Sequence, residues 1–124
     1  MNFSTPATQV IEGFAAQLGI STAPSPDGSH SFLFESSGLL TFTAGNRNQV
    51  IISLARRPGI MTDAVAARAL SLAGPDAGGR MFLHAGRAAN EQIVFAVVVE
   101  QADFTLPTIE SGLQRLLPAS AALG

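Results

Sequence analysis

The stretch Ile93-Val94-Phe95-Ala96-Val97-Val98-Val99 sets seven apolar residues in a row between Glu91-Gln92 and Glu100-Gln101. It is too short to span a bilayer and too rich in β-branched residues to favour a helix, so it reads as a strand. Alternate side chains of a strand point to opposite faces. Ile93, Phe95, Val97 and Val99 therefore share one face, and Val94, Ala96 and Val98 share the other. Both faces are apolar and both need cover. A small domain covers one face of its sheet with its own helices, which leaves open what covers the second.

The chain has 124 residues, 47% of them hydrophobic, enough for one domain spanning 1–124 with a core of its own. Residues 1–5 and 119–124 are expected to fray. There is no Cys, which excludes disulfides, a thiolate nucleophile and zinc–thiolate sites. A formal net charge of −2 argues against nucleic acid as a general partner. All seven basic residues are Arg. No basic stretch followed by an apolar run marks a signal peptide at Met1-Asn2-Phe3-Ser4-Thr5-Pro6, and no segment is apolar for long enough to insert into a membrane. Only 13% of the residues are charged. That is low for a solitary soluble domain and points to surface reserved for a partner.

Elsewhere in the chain, Ala7, Val10, Ile11, Phe14, Ala15 and Leu18 recur at helical spacing, predicting an amphipathic helix over 6–18 with Thr5 as its cap and Gly19 as its stop. Ser21 to Ser29 is a loop. Strands are predicted over 31–35, 39–43 and 49–54, joined by short turns into an antiparallel meander. Phe32 and Phe34 face one side and Leu33 the other; Val50, Ile52 and Leu54 oppose Ile51. Thr62 caps a second helix over 63–73, ended by Gly74-Pro75. After Asp63 it has only Arg68 and Ser71 as polar residues. A helix apolar nearly all round should be buried nearly all round, and a second copy of the chain could cover the side that the sheet does not. A fourth strand over 80–84, a turn over 86–90 and the strand over 91–100 follow. A last helix from about Thr105 carries Leu106, Ile109, Leu113, Leu116 and Leu117, with Pro118 ending or kinking it. The fold class is α+β: a single antiparallel five-stranded sheet with three helices in the order α-β-β-β-α-β-β-α.

Catalytic chemistry finds little to work with. His30 and His84 stand alone, with no second ligand at metal-binding spacing. The segment Gly74 to Arg80 has three glycines but lacks the Gly-Lys-Ser/Thr ending of a phosphate loop. Ser, His and Asp are present, but no Gly-x-Ser-x-Gly elbow is. Arg56-Arg57 at a strand end reads as a solvated pair, with contact to an acidic partner as the alternative. No catalytic residue, metal, cofactor or small-molecule substrate is expected.

The element order and several local patterns resemble the class I type III secretion chaperones. The first helix ending Gln17-Leu18-Gly19-Ile20, then a polar loop and Phe32-Leu33-Phe34-Glu35, is similar to the family's opening. Ala69-Leu70-Ser71-Leu72-Ala73-Gly74 is similar to its Leu-rich helix end. Met81-Phe82-Leu83-His84, a turn and Ile93 to Val99 are similar to its last hairpin, and Leu106 to Leu117 to its closing helix. The resemblance implies a bacterial, cytoplasmic virulence protein: a homodimer that holds the extended N-terminal segment of a secreted effector in an export-competent state, without ATP or covalent chemistry. It implies a two-fold axis near the middle helix and the last strands, with Val65, Arg68, Ala69, Leu72, Val97 and Val99 as dimer candidates. Phe14, Leu18, Phe32, Phe34, Phe42 and Ile52 are the cargo-contact candidates. For each aromatic among them, plain membership of the core is the competing reading.

The alternative from a different class is a profilin- or roadblock-like dimeric scaffold module that docks onto a folded partner. Such modules have two strands before the middle helix and three after it. Three before and two after are read here, which favours the chaperone-like order.

Overall fold

The computed structural model describes residues 3–20, 24–34, 36–75, 78–79 and 81–123. Glu35 and Arg80, expected in strands, and Gly124 of the expected tail lie outside them, as do residues 1–2, 21–23 and 76–77. The elements are α1 (Thr5–Gln17), β1 (His30–Phe34), β2 (Gly38–Ala44), β3 (Gln49–Arg56), α2 (Asp63–Ser71), β4 (Gly74–Pro75), β5 (Phe82–Ala88), β6 (Gln92–Glu100), a 3-10 turn (Gln101–Asp103) and α3 (Leu106–Ala121). The strands form one antiparallel sheet in the order β1-β2-β3-β6-β5-β4. The apolar run of β6 lies inside it, between β3 and β5. Because β3 and β5 both run antiparallel to β6, they are parallel to each other, and α2 lies on the crossover that joins them.

The sheet has six strands where the sequence predicted five. Gly74-Pro75 stops α2 as expected, but its extended backbone also pairs with Phe82 and Leu83 of β5. Pro75 suits that edge position because it has no N–H to donate outward. The fourth strand was expected over 80–84 and is found at Phe82–Ala88. Gly86, read as part of a turn, continues the strand. The turn follows it, where Asn90 and Glu91 both adopt positive φ, at 62° and 59°.

Helix caps follow simple chemistry. Thr62 accepts a hydrogen bond from the backbone N–H of Val65 and Thr105 from that of Thr108. For α1 the cap is Ser4, which accepts from Ala7, and Thr5 is already the first helical residue. Ahead of the helix, Ser4 N–H donates to Gln101 Oε1, and Phe3 lies against the His30 ring. α3 runs through Pro118 to Ala121, and Ala119, Ser120 and Leu123 are buried. A proline inside a helix forfeits one bond to the carbonyl four residues back, here that of solvent-exposed Gln114. Two side-chain contacts hold the tail. Ser120 Oγ donates to the Ser37 carbonyl at 2.7 Å, and Arg56 donates to the Ser120 carbonyl. Arg56 is therefore a structural residue, a cation placed at the negative end of α3. Arg57 donates to the Asn90 carbonyl.

The core lies between one face of the sheet and the helices. Phe32, Leu40, Phe42, Val50, Ile52, Leu54, Leu83, Ile93, Phe95 and Val97 point into it, met by Ile11 and Phe14 of α1, Ala69 of α2, and Ile109 and Leu116 of α3. Phe14, Phe32 and Phe42 stack edge to face, with ring centroids 5.5–5.8 Å apart, and Phe104 joins Phe42 at 5.9 Å. Such pairs add about 0.5–1.5 kcal/mol each beyond their buried area. Gly112 faces the sheet where α3 crosses it: a Cβ there would be in ordinary van der Waals contact, 3.4 Å from Val97 Cγ2 and 3.5 Å from Ile52 Cδ1.

Gly38, which opens β2, has φ +125°, and a Cβ there would fall 2.3 Å from the Ala55 carbonyl oxygen. Gly38→Ala is expected to cost more than about 2 kcal/mol, from the backbone strain and the displaced ladder bond together. A urea titration checks it, and an unchanged midpoint would contradict this geometry. His30 is buried beside Phe42's strand position and the Phe3 ring. Burial holds its pKa below the ordinary value, partly offset by the negative charge of Glu12. Below about pH 6.5 the unfolded chain then binds a proton that the folded chain resists. Stability should fall as pH drops from about 7 towards the lowered folded value, and His30→Leu should flatten that slope in thermal melts between pH 5 and 7.5. Asp27, held below the usual carboxylate range by the Ser29 backbone N–H and hydroxyl, acts outside that window.

Candidate protein-binding surface

The face of the sheet opposite the helices can be read row by row from the strand register. One row runs Leu33, Leu39, Ala55, Val94, Gly86; the next runs Ser31, Thr41, Ser53, Ala96, His84; a third runs Thr43, Ile51, Val98. Phe82 follows His84 by alternation on the same face. No Asp, Glu, Lys or Arg stands in these rows; Glu100, hydrogen-bonded to Gln49, marks their margin. Leu33 is 72% exposed, Phe82 50%, Leu39 40% and Val98 38%. An antiparallel sheet can leave one face to water, but it then alternates polar residues outward. Here the outward residues are aliphatic, aromatic or hydroxylic apart from His84; the Ser31 and Thr41 oxygens lie 3.0 Å apart, and Ser53 Oγ donates to the Thr41 carbonyl.

α2 provides the second exposed apolar element. It was expected to be buried nearly all round, yet Ala69 is its only buried residue. Val65 and Leu72 pack partly against the core, while Leu70 is 57% exposed and Ile60, just before the helix, 76%. The reason is geometric: within one chain the sheet can take only one side of this helix.

The expected site residues divide accordingly. Phe14, Phe32, Phe42 and Ile52, expected at the cargo, are core residues at 0–5% exposure, and no partner can touch them while the fold is closed. Phe34 is half-buried beside them and Leu18 is exposed at the end of α1. Ala69 and Val97, expected at the dimer contact, are likewise buried in the chain's own core. Val65, Leu72 and Val99 are half-buried and Arg68 is exposed. The period-2 pattern separated the two faces correctly, but the Phe-bearing face is the one the helices cover. The exposed Leu33, Leu39, Phe82 and Val98 were missed. Both alternating sets of β2, β3 and β6 are almost free of charge, so local pattern did not single these residues out.

An open cleft of about 820 Å³ lies between the end of β6 and α3. Met81, Val98, Val99 and Pro107 line it together with Glu100, Asp103, Thr108, Ser111, Gln114 and Arg115. Arg115 is turned away to the Gly74 carbonyl, 2.7 Å from its Nη2. Neither His lines the cleft, so its hydroxyls have no imidazole base. His84 lies against the Phe82 ring, centroids 4.8 Å apart, and the Ser29 hydroxyl donates to Asp27. Among the described residues no group of three or more His, Asp or Glu could hold a metal ion. No helix among them is long and apolar enough to cross a membrane.

Comparison with known proteins agrees with this picture. The fold matches a chain in the crystal structure of the ExsC–ExsE complex with a TM-score of 0.73 at 17% identity, covering 97% of this chain and 92% of that one. It matches the structure of the Yersinia pestis type III secretion chaperone SycH in complex with a stable fragment of YscM2 with a TM-score of 0.70 at 13% identity, covering 95% and 99%. It also matches the ExoU–SpcU complex from the type III secretion system of Pseudomonas aeruginosa, with a TM-score of 0.60 at 15% identity, covering 91% and 93%. At these identities the likeness is one of fold. No curated protein gives a significant sequence match. The family model described as type III secretory system chaperone SycN matches residues 7–122, nearly the whole chain. With that match, the chain belongs to the SycN family of type III secretory system chaperones.

Proposed function

We propose that the protein is a cytoplasmic homodimeric chaperone that binds the extended N-terminal segment of a secreted effector and keeps it export-competent without ATP. The observation that carries this reading is the uncharged, helix-free sheet face with exposed Leu33, Leu39, Phe82 and Val98. Contiguous exposed apolar surface of this kind marks a site of association. An extended segment suits it, because apolar side chains at alternate positions can lie along the strands while backbone groups pair at a sheet edge. Related chaperone structures have been determined as complexes, among them the HopA1–SchA chaperone–effector complex and SycH with a fragment of YscM2. Binding favours the unfolded cargo by mass action alone, so the cycle needs neither hydrolysis nor a covalent step. No residue is assigned a catalytic role.

The dimer reading rests on α2. Its exposed Leu70, with Ile60 beside it and Val65 and Leu72 half-covered, is the apolar surface that a second copy would bury. Of the sequence candidates, Val65, Arg68, Leu72 and Val99 remain partly or fully exposed and stay with this reading, whereas Ala69 and Val97 do not.

Two measurements test the proposal. Light scattering across a concentration series should give twice the chain mass, and Leu70→Asp should shift the protein towards monomer at micromolar concentration with its circular dichroism unchanged; a monomeric wild-type protein would refute the dimer. Calorimetry with effector N-terminal segments should show a large negative heat-capacity change. Leu33→Asp combined with Val98→Asp should then weaken affinity tenfold or more, about 1.4 kcal/mol. Undiminished affinity would move the cargo off this face.

A further inference from the structure

The cleft between the end of β6 and α3 meets the sheet where its ladder is incomplete. β5 pairs with β6 from Ala88 only as far as His84, opposite Ala96. At Leu83 and Phe82 β5 pairs with β4. β6 runs on past Ala96 to Glu100. The Gln101 N–H donates to the Asn48 carbonyl, one step further along the register of β3 with β6. Bonded and non-bonded pairs alternate along an antiparallel ladder. The odd-numbered residues of β6 therefore bond to β3, and Val98 and Glu100 direct their N–H and C=O to the other side. No ladder partner stands opposite them there among the described residues.

The cleft occupies that position. Val98 and Val99 both line it, although consecutive side chains of a strand point to opposite faces. A cavity lined by both meets the strand at its edge. Thr108, Ser111, Gln114 and Arg115 of α3 form the opposite wall.

We infer that the cleft takes a short extended run of the cargo, paired with β6 at Val98 and Glu100, and that this run carries a Lys or Arg side chain. The inference rests on the cargo-binding reading above and gives the segment a fixed point. Val98 belongs both to the cleft and to the uncharged face, so a segment lying on that face reaches the cleft directly.

An extended backbone is what completes a ladder. Its groups alternate between two sides, and the side away from β6 faces α3. There Arg115 Nη2 donates to the Gly74 carbonyl, while its Nε is buried without a hydrogen-bond partner. Buried donors are normally satisfied, and a carbonyl of the inserted run supplies the acceptor. Charge selects the side chain. Glu100 and Asp103 both line the cleft, and Arg115 is held by Gly74. Neither carboxylate belongs to an ion pair among the described residues. A cationic side chain complements them and an acidic one is repelled. Met81, Val99 and Pro107 give the aliphatic stem of a Lys or Arg an apolar wall.

The test is amide hydrogen exchange, read by NMR on the whole chain, free and with an effector N-terminal segment that binds in the calorimetry above. In the free protein the Val98 and Glu100 amides should exchange about tenfold faster or more than those of Val97 and Val99, which bond to β3. With the segment bound they should slow by about the same factor. Glu100→Gln combined with Asp103→Asn should weaken that segment about tenfold and flatten the salt dependence of its affinity. Ser111→Trp, at an exposed position on the α3 wall, should fill the cleft and weaken binding with circular dichroism unchanged. Unchanged exchange at Val98 and Glu100 in a complex that Leu33→Asp still disrupts would overturn the cleft and leave the sheet-face reading standing. Slowed exchange with undiminished affinity in the doubly neutralised variant would overturn the basic side chain. No binding by any effector segment would overturn the cargo reading and this inference together.

Discussion

Three helices pack onto one face of one sheet, and most of the molecule's properties follow from that asymmetry. The covered face is held by the packing of α3 on β3 and β6, where buried Gly112 stands over Val97 and Ile52. Around it, Phe14, Phe32, Phe42 and Phe104 close the space under α1 with edge-to-face contacts. All the large buried side chains belong to this layer. Because one layer holds the whole core, the second face of the sheet can stay free of helices without loss of fold stability.

That freedom gives the proposed function a physical basis. A binding face must remain apolar in water, which disfavours solubility, and must not collapse onto its own chain. Here the apolar rows are interleaved with Ser31, Thr41 and Ser53, whose hydroxyls keep the face wettable without adding charge. Flat strands, with their side chains fixed by the pleat, resist collapse better than loops would. The polar contacts that position the sheet lie at its margins: Arg56 and Ser120 at one end, and Gln49, Glu100 and Gln101 at the other. They tie down both termini of the described chain and leave the centre of the face unobstructed.

The order of the three helices and of five of the six strands, the strand identity of Ile93 to Val99 and the two-faced character of the sheet were legible in the chain, because they depend on local periodicity and on residue types. Two local signals read differently once the fold is formed. Gly86 was taken for a turn residue, although Asn90 and Glu91 supply the positive φ that the turn requires. Pro118 was expected to end or kink the last helix; the helix continues past it, where Ser120 bonds to Ser37 and Arg56. The partners that carry α3 past Pro118 are distant in sequence and no local window contains them, whereas the turn at Asn90 and Glu91 lies only four residues past Gly86.

The candidate site shows the same division more sharply. Alternation set Phe32 opposite to Leu33 and Ile52 opposite to Ile51, strand by strand. It could not determine which of those faces the helices would cover, because both are apolar and period 2 is symmetric between them. Only the tertiary structure decided this, through the crossover that carries α2 and through the fit of α1 and α3 onto the Phe-bearing side. For α2 the sequence determined an all-round apolar helix, while packing determined that a single chain can satisfy just one side of it. Pattern is set residue by residue, whereas burial is shared among elements far apart in the chain, so the sequence by itself specified the surfaces and the fold selected which of them stayed exposed.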